Sequence, residues 1–240
     1  MEFSSRWIDI PAHDGGHFQG YLALPPGGTG PGLLVLQEIF GVNAHIRGVA
    51  EQYAAQGYVV LAPDLFWRTS PRLEIGYHGV ERVRANELYD QMDKDLALAD
   101  VSSAAAQLRT LPEIRGKVAA VGFCLGGWLT YAAAAAHVID IGVSYYGGGI
   151  QDALHLADDI VAPMQFHFGE IDPHVPITIA SQLRTAFEGR DAEVHTYPEA
   201  DHGFNCWERE TYHPASATLA HERALRFLDQ HDLRSMGSAR

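Results

Sequence analysis

Residues 117–128 read Lys-Val-Ala-Ala-Val-Gly-Phe-Cys-Leu-Gly-Gly-Trp. Residues 118–121 are a short apolar run, the mark of a strand buried on both faces. The turn Gly122-Phe123-Cys124-Leu125-Gly126-Gly127 follows at once, and then an alanine-rich run, 129–136, made of good helix formers. Strand, tight turn and helix are the setting of a nucleophile elbow, G-x-nucleophile-x-G, with Cys124 in the nucleophile position. Glycines two residues either side avoid Cβ clashes where strand and helix pack closely. A thiol suits the place. The positive end of the helix dipole favours its thiolate, and the N–H of Leu125 points at the position of an oxyanion. Taken alone, the same stretch also reads as a buried apolar cysteine beside an ordinary glycine turn, so the rest of the chain has to decide.

The chain has 240 residues, room for one large α/β domain or two small ones, and 47% of them are apolar, enough for a sizeable core. A net charge of −13 offers no basic surface to nucleic acid or an anionic membrane. Two cysteines, Cys124 and Cys206, exclude a disulfide scaffold and make a reducing compartment the default. Residues 1–10 lack the basic start and apolar core of a signal peptide, and the weakly polar run at 129–139 is too short to span a bilayer. The expectation is a soluble, cytoplasmic protein. Nothing in the chain points to a particular oligomeric state.

Working outward from the elbow, residues 6–10 and 17–24 read as a hairpin around Asp14-Gly15-Gly16. Residues 25–32 read as a proline- and glycine-rich loop, and 33–36 as a central strand ending in Gln37-Glu38-Ile39-Phe40-Gly41. Asn43 is placed to cap a helix that stops at Gly57, and a strand follows at 58–62. Residues 65–79 are irregular, with Trp67 and Tyr77 most simply read as core filling, and 65–92 is a candidate covering segment. Helices are expected at 81–92, 95–108, 177–187 and 215–230, strands at 139–146, 163–168 and 192–197, and a loose tail at 235–240. Strands alternate with helices to the end, so the expected fold is α/β: one doubly wound, mostly parallel sheet with helices on both faces. In such sheets reactive residues gather at the carboxyl ends of strands, and Glu38, Cys124, Asp172 and His202 all stand at such ends.

Their order matters. The α/β-hydrolase fold presents its triad as nucleophile, acid and histidine, and Cys124, Asp172 and His202 follow that order. His202 would exchange protons with the thiol and the leaving group while Asp172 orients its imidazole. His174, two residues after Asp172, is a rival base.

The chain resembles the dienelactone hydrolase family of α/β-hydrolases. The matching pieces are Gln37-Glu38-Ile39-Phe40-Gly41-Val42-Asn43, Ala62-Pro63-Asp64-Leu65, Gly122-Phe123-Cys124-Leu125-Gly126-Gly127, Tyr145-Tyr146-Gly147, Gly169-Glu170-Ile171-Asp172 and Asp201-His202-Gly203-Phe204, in family order. The resemblance implies a single α/β-hydrolase domain over residues 1–240 and a Cys-His-Asp triad at Cys124, His202 and Asp172. It implies that Glu38 lies beside the cysteine and helps generate the thiolate, and that the N–H groups of Ile39 and Leu125 form the oxyanion hole. It implies substrate contacts at Arg82, Phe40, Tyr145 and Phe204, a small ester or lactone substrate, and no metal or organic cofactor. One position departs: relatives that take dienelactone hold its carboxylate with two arginines, and Cys206 stands where one of them lies. Arg82 falls near the place of the other; it also reads as a solvated helix residue. The competing functions are a broader carboxylesterase or thioesterase, a binding protein on the same fold, and a thiol redox protein using Cys124 and Cys206. The last lacks a C-x-x-C motif.

Overall fold

The computed structural model describes residues 4–231. The expected tail at 235–240 lies outside them. The described chain divides into two compact units, one up to Ala119 and one from Ala120.

In the first unit, β1 (Ser4–Pro11) and β2 (His17–Leu24) form the expected antiparallel hairpin, with Pro11 opposite His17. β3 (Gly30–Leu36) pairs in parallel with β4 (Val59–Pro63), and β4 pairs antiparallel with β2. The strand order is β1-β2-β4-β3, with β5 (Ile114–Phe123) next to β3. β3 begins earlier than its composition suggests. Gly30 and Pro31 read as loop residues, yet a Cβ at Gly30 would strike the Gly57 carbonyl, and the Gly30 N–H bonds to Glu113 O at 3.0 Å. Glycine there permits close backbone approach inside a sheet. Helix α1 (Ala44–Ala55) is capped as expected, the Asn43 side chain accepting from Ile46 N. Helices α2 (Gly79–Asp90) and α3 (Lys94–Thr110) follow, α3 capped by Asp93.

The end of β5 opens the second unit, in which the order is β5-β6-β7-β8. β6 (Ile141–Tyr145), β7 (Met164–Gly169) and β8 (Ala192–Tyr197) run parallel. Helices α4 (Leu125–Ala135), α5 (Thr178–Ala186) and α6 (Pro214–Gln230) pack on these strands. Two short 3-10 helices, Ile150–Asp152 and Leu154–Asp159, carry no pattern that a sequence would reveal. α4 starts at Leu125, four residues before the alanine-rich run, because the elbow glycines belong to its first turn. The register Gly169↔Tyr197 sets the ends of β7 and β8 side by side, so the loops that follow them start together.

Candidate active site

The loop after β3 is held in place before any chemistry is considered. Gln37 is fully buried; its side chain donates to Glu38 O at 3.2 Å and accepts from Leu65 N at 3.1 Å. Gly41 adopts φ 83° and pairs with Glu74, while Ile75 N donates to Phe40 O at 3.2 Å. Only glycine fits there, since a Cβ would strike the Leu73 carbonyl. The Asn43 amide reaches both Ile75 O and the Tyr77 hydroxyl, and the Tyr77 ring packs on Phe40 at 4.5 Å. Residues 73–77 of the expected covering segment are therefore tied to the loop that carries Glu38 and Ile39. The segment's own bend is closed by Asp64, which accepts from Phe66 N and Arg72 N; burial raises the pKa of this carboxyl. Glu38 is buried at 1% exposure, and Phe40 is buried beside it.

The elbow is strained at its centre. Cys124 has φ 54° and ψ −111°, a conformation costly for any residue with a Cβ. It persists because its surroundings over-determine it. The Cys124 N–H bonds to Tyr145 O at 3.0 Å, and Cys124 O accepts from Trp128 N at 3.1 Å. A Cβ at Gly122 would run into the Gly126 carbonyl and the Thr130 hydroxyl, and one at Gly127 would lie 2.7 Å from Tyr145 O. Leu125 opens α4, where no preceding turn supplies a carbonyl for its N–H.

The acid and histidine loops are pinned to each other. Glu170 N donates to Tyr197 O at 3.0 Å and Ile171 N to Ala200 O at 3.2 Å; a Cβ at Gly169 would collide with the Ala200 carbonyl. Asp172 Oδ1 accepts from His174 N at 2.7 Å and Val175 N at 3.0 Å, which leaves Oδ2 to accept from His202 Nδ1 at 2.8 Å. The Cys124 sulfur acts on the same imidazole electrostatically. The imidazole of His202 thus lies between Asp172 and Cys124, although the chain presents the aspartate before the histidine. Burial alone would lower the His202 pKa, but the Cys124 sulfur and the Asp172 carboxylate outweigh it and push it up to about 10. Burial works the other way on Asp172, yet its bonds to His202 and the two backbone N–H groups hold its carboxyl below the usual range.

His174, the rival base, is exposed, and its ring stands edge-on to His202 at 5.1 Å; the carboxylate bonds to the ring of His202 and only to the backbone of His174. Tyr145 and Phe204 are buried in an aromatic cluster with Tyr197, and it is Tyr146, at φ 38°, whose ring meets His202 at 5.1 Å. Sequence reasoning missed Tyr146. The signal was present in the Tyr145-Tyr146 doublet, because the residue leaving a strand, rather than the last one in it, is free to turn toward the site. Cys206 is fully buried and Cys124 half-buried, and neither is in a disulfide. Arg209 was also missed: its guanidinium packs under Gly203, at φ 78°, and occupies the space of any side chain there.

Arg82 is half-exposed on α2, with no side-chain partner among the described residues. The other arginines near it are committed: Arg68 to Asp100 and Asp14, Arg72 to Gln19 and Glu74, and Arg84 to Glu87. Trp67 and Tyr77 serve packing, Trp67 stacking on Phe18 and donating to Asp100 at 2.8 Å. Among the described residues no cluster of three or more His, Cys, Asp or Glu side chains is placed to hold a metal ion. No helix among them is long and apolar enough to cross a membrane.

The mixed sheet, with Cys124, Asp172 and His202 following β5, β7 and β8, is that of an α/β-hydrolase. Residues 18–232 match the family model described as "Dienelactone hydrolase family". The chain is 33% identical over 226 residues to carboxymethylenebutenolidase 1 of Cupriavidus pinatubonensis, covering 93% of this chain and 96% of the relative. It is 34% identical over 223 residues to the carboxymethylenebutenolidase of Pseudomonas putida, covering 92% and 94%. A crystal structure from Klebsiella pneumoniae, provisionally named a dienelactone hydrolase, superimposes with a TM-score of 0.85 at 30% identity, covering 96% of this chain and all of the other. This chain belongs to the dienelactone hydrolase family, and it is an ester hydrolase of that family.

Proposed function

We propose that the chain opens small lactones or esters through a covalent thioester on Cys124, with His202 and Asp172 as its partners. The observation that carries this is the His202–Asp172 hydrogen bond with the Cys124 sulfur acting on the same imidazole. An imidazole held toward its protonated form accepts the thiol proton readily. The thiolate then attacks the acyl carbon, and His202 gives its proton to the leaving oxygen. Water, activated by the same imidazole, releases the acid and restores the thiol. The N–H groups of Leu125 and Ile39 take the oxyanion, in line with the position of Leu125 at the start of a helix. Phe40, Tyr145 and Phe204 shape the surroundings of the acyl group, with Tyr146 added to them by its contact with His202. Both relatives named above are carboxymethylenebutenolidases, and we assign this chain the same substrate class, a lactone bearing a carboxylate. The uninterrupted family match over 18–232 supports a single domain, and two free thiols suit the cytoplasm. The test is turnover of a panel of lactones and esters with and without a carboxylate; no hydrolysis of any member would refute the proposal.

Glu38 is placed in the same mechanism as the carboxylate that helps ionise Cys124. Its burial at 1% exposure, on a loop pinned by residues 73–77, supports a fixed position. Glu38→Gln should fold normally and lose on the order of 10²-fold in kcat, the usual scale of positioned acid–base help. Wild-type kcat in that variant would make Glu38 structural only.

Arg82 is the proposed partner of the substrate carboxylate. A fork of guanidinium donors fits a carboxylate, and a thiol at Cys206 is a weak donor. Arg82→Ala should cost about 1.5–3 kcal/mol, roughly 10- to 150-fold in kcat/KM, for a carboxylate-bearing lactone and little for a neutral ester. An equal fall on a matched acid and neutral pair would assign Arg82 to the fold. No fall on either would favour a broader carboxylesterase.

A further inference from the structure

The second unit contains a buried polar series that the reaction does not use. His167, on β7, has no exposed surface. Its Nδ1 lies 2.7 Å from the Tyr197 hydroxyl and its Nε2 lies 2.8 Å from Gln165 Oε1. The direction of each bond follows from chemistry. The Glu193 carboxylate only accepts, so the Gln165 amide nitrogen faces it, at 2.7 Å, and the amide oxygen faces His167. His167 therefore carries its proton on Nε2 and accepts at Nδ1 from the Tyr197 hydroxyl. The guanidinium of Arg223, on α6, lies over the Tyr197 ring at 5.4 Å. The series runs from Tyr197 through His167 and Gln165 to an anion, Glu193, with one tautomer permitted. Burial, with the charges at His195 and Arg223, keeps His167 neutral by lowering its pKa well below the ordinary value.

What this ring touches gives it a purpose. It stacks on Tyr145 at 4.4 Å, and Tyr145 O is the acceptor for the Cys124 N–H. The backbone of His167 accepts from Tyr146 N at 2.8 Å, and the Tyr146 ring meets His202. Tyr197, the next member, packs on Phe204 at 5.0 Å, two residues after His202, and its carbonyl accepts from Glu170 N. One side chain is thereby coupled to the elbow, to the ring beside the catalytic histidine and to the histidine loop.

We propose that His167 is a positioning residue for hydrolysis. Locked by the series from Tyr197 to Glu193, it fixes Tyr145 and Tyr197 and so the relative placement of Cys124 and His202. The proposal rests on Cys124 being the nucleophile. A shift of the order of an ångström at a reacting pair costs up to about 10²-fold in rate. His167→Phe keeps a ring on Tyr145 but removes both polar anchors. Tyr197→Phe removes a single hydroxyl.

The experiment measures kcat and KM on one neutral ester, the rate of Cys124 alkylation by iodoacetamide, and thermal unfolding. It does so for wild type, both single variants, the double variant and Cys124→Ala. His167→Phe should lose about 10- to 100-fold in kcat with KM nearly unchanged and slower alkylation. Tyr197→Phe should show a smaller loss of the same kind, and the double variant should be no worse than His167→Phe. Wild-type kcat in the singles with only lowered thermal stability would overturn the proposal, as would a loss confined to KM or a double variant in which the losses add. If His167→Phe does not fold, Tyr197→Phe decides alone, an unchanged kcat overturning the proposal. Activity in Cys124→Ala would remove the nucleophile, and this proposal with it, whereas an inactive Cys124→Ala beside a fully active His167→Phe would defeat the positioning role only.

Discussion

Cys124→Ala is expected to abolish ester hydrolysis, by on the order of 10⁴-fold or more in kcat, the scale on which triad nucleophiles act. Cys206→Ala is expected to leave the rate near that of the wild type. The difference is one of position. Cys124 sits at φ 54° ahead of a helix, half-exposed and within electrostatic reach of His202. Cys206 is fully buried in the histidine loop, its N–H bonded to Gly203 O at 2.8 Å. Iodoacetamide should accordingly label Cys124 first, and labelling should track loss of activity. Steady-state kinetics of the two variants is the check. A redox role for the pair would show itself as a Cys124–Cys206 disulfide on oxidation, and it would require Cys206→Ala to be impaired as well.

Asp172→Asn should fold and lose about 10³-fold in kcat. Asp172 Oδ1 already accepts from two backbone N–H groups, so an asparagine would keep its carbonyl there and turn its NH₂ toward His202 Nδ1. Nδ1 would then have to accept, Nε2 would carry the proton, and the imidazole could not take one from the thiol. The same substitution changes the pH dependence of stability. In the folded wild type burial works against a protonated His202, but Cys124 and Asp172 raise its pKa from 6.5 to about 10. A raised pKa contributes stability in full below the unfolded value of about 6.5 and loses it as pH rises toward 10. Without the carboxylate that loss should be shallower. Urea unfolding of both proteins between pH 7 and pH 10 measures it. A folded variant with wild-type kcat and an unchanged alkaline slope would mean that Asp172 only shapes its loop.

Most of the frame was legible because its signals are local. The apolar runs that became β3, β4 and β5, the Asn43 cap and the Asp-Gly turn each dictate a conformation over a few residues. The elbow was legible for the same reason: glycines around Cys124 are required by backbone that approaches too closely for any Cβ. The candidate triad residues could be picked out because a parallel sheet gathers the ends of its strands. What stayed hidden depends on groups brought together from afar. Gly30 and Pro31 look like loop residues until Gly57 comes alongside. Nothing near His167 in sequence announces Arg223 or Glu193, so a buried histidine series reads as scattered histidines. Tyr146 differs from Tyr145 only by leaving the strand at a positive φ, and no composition rule marks that step.

The most direct measurement is the mass of the acyl-enzyme. Wild-type protein mixed with an activated acetate ester, quenched in acid within the first turnover and digested, should carry one acetyl group on the peptide that contains Cys124. The adduct should be absent from Cys124→Ala and should disappear as turnover is completed. An acetyl group on Cys206 or His202 in place of Cys124, or steady hydrolysis with no adduct on Cys124, would contradict the assignment of Cys124 as the nucleophile.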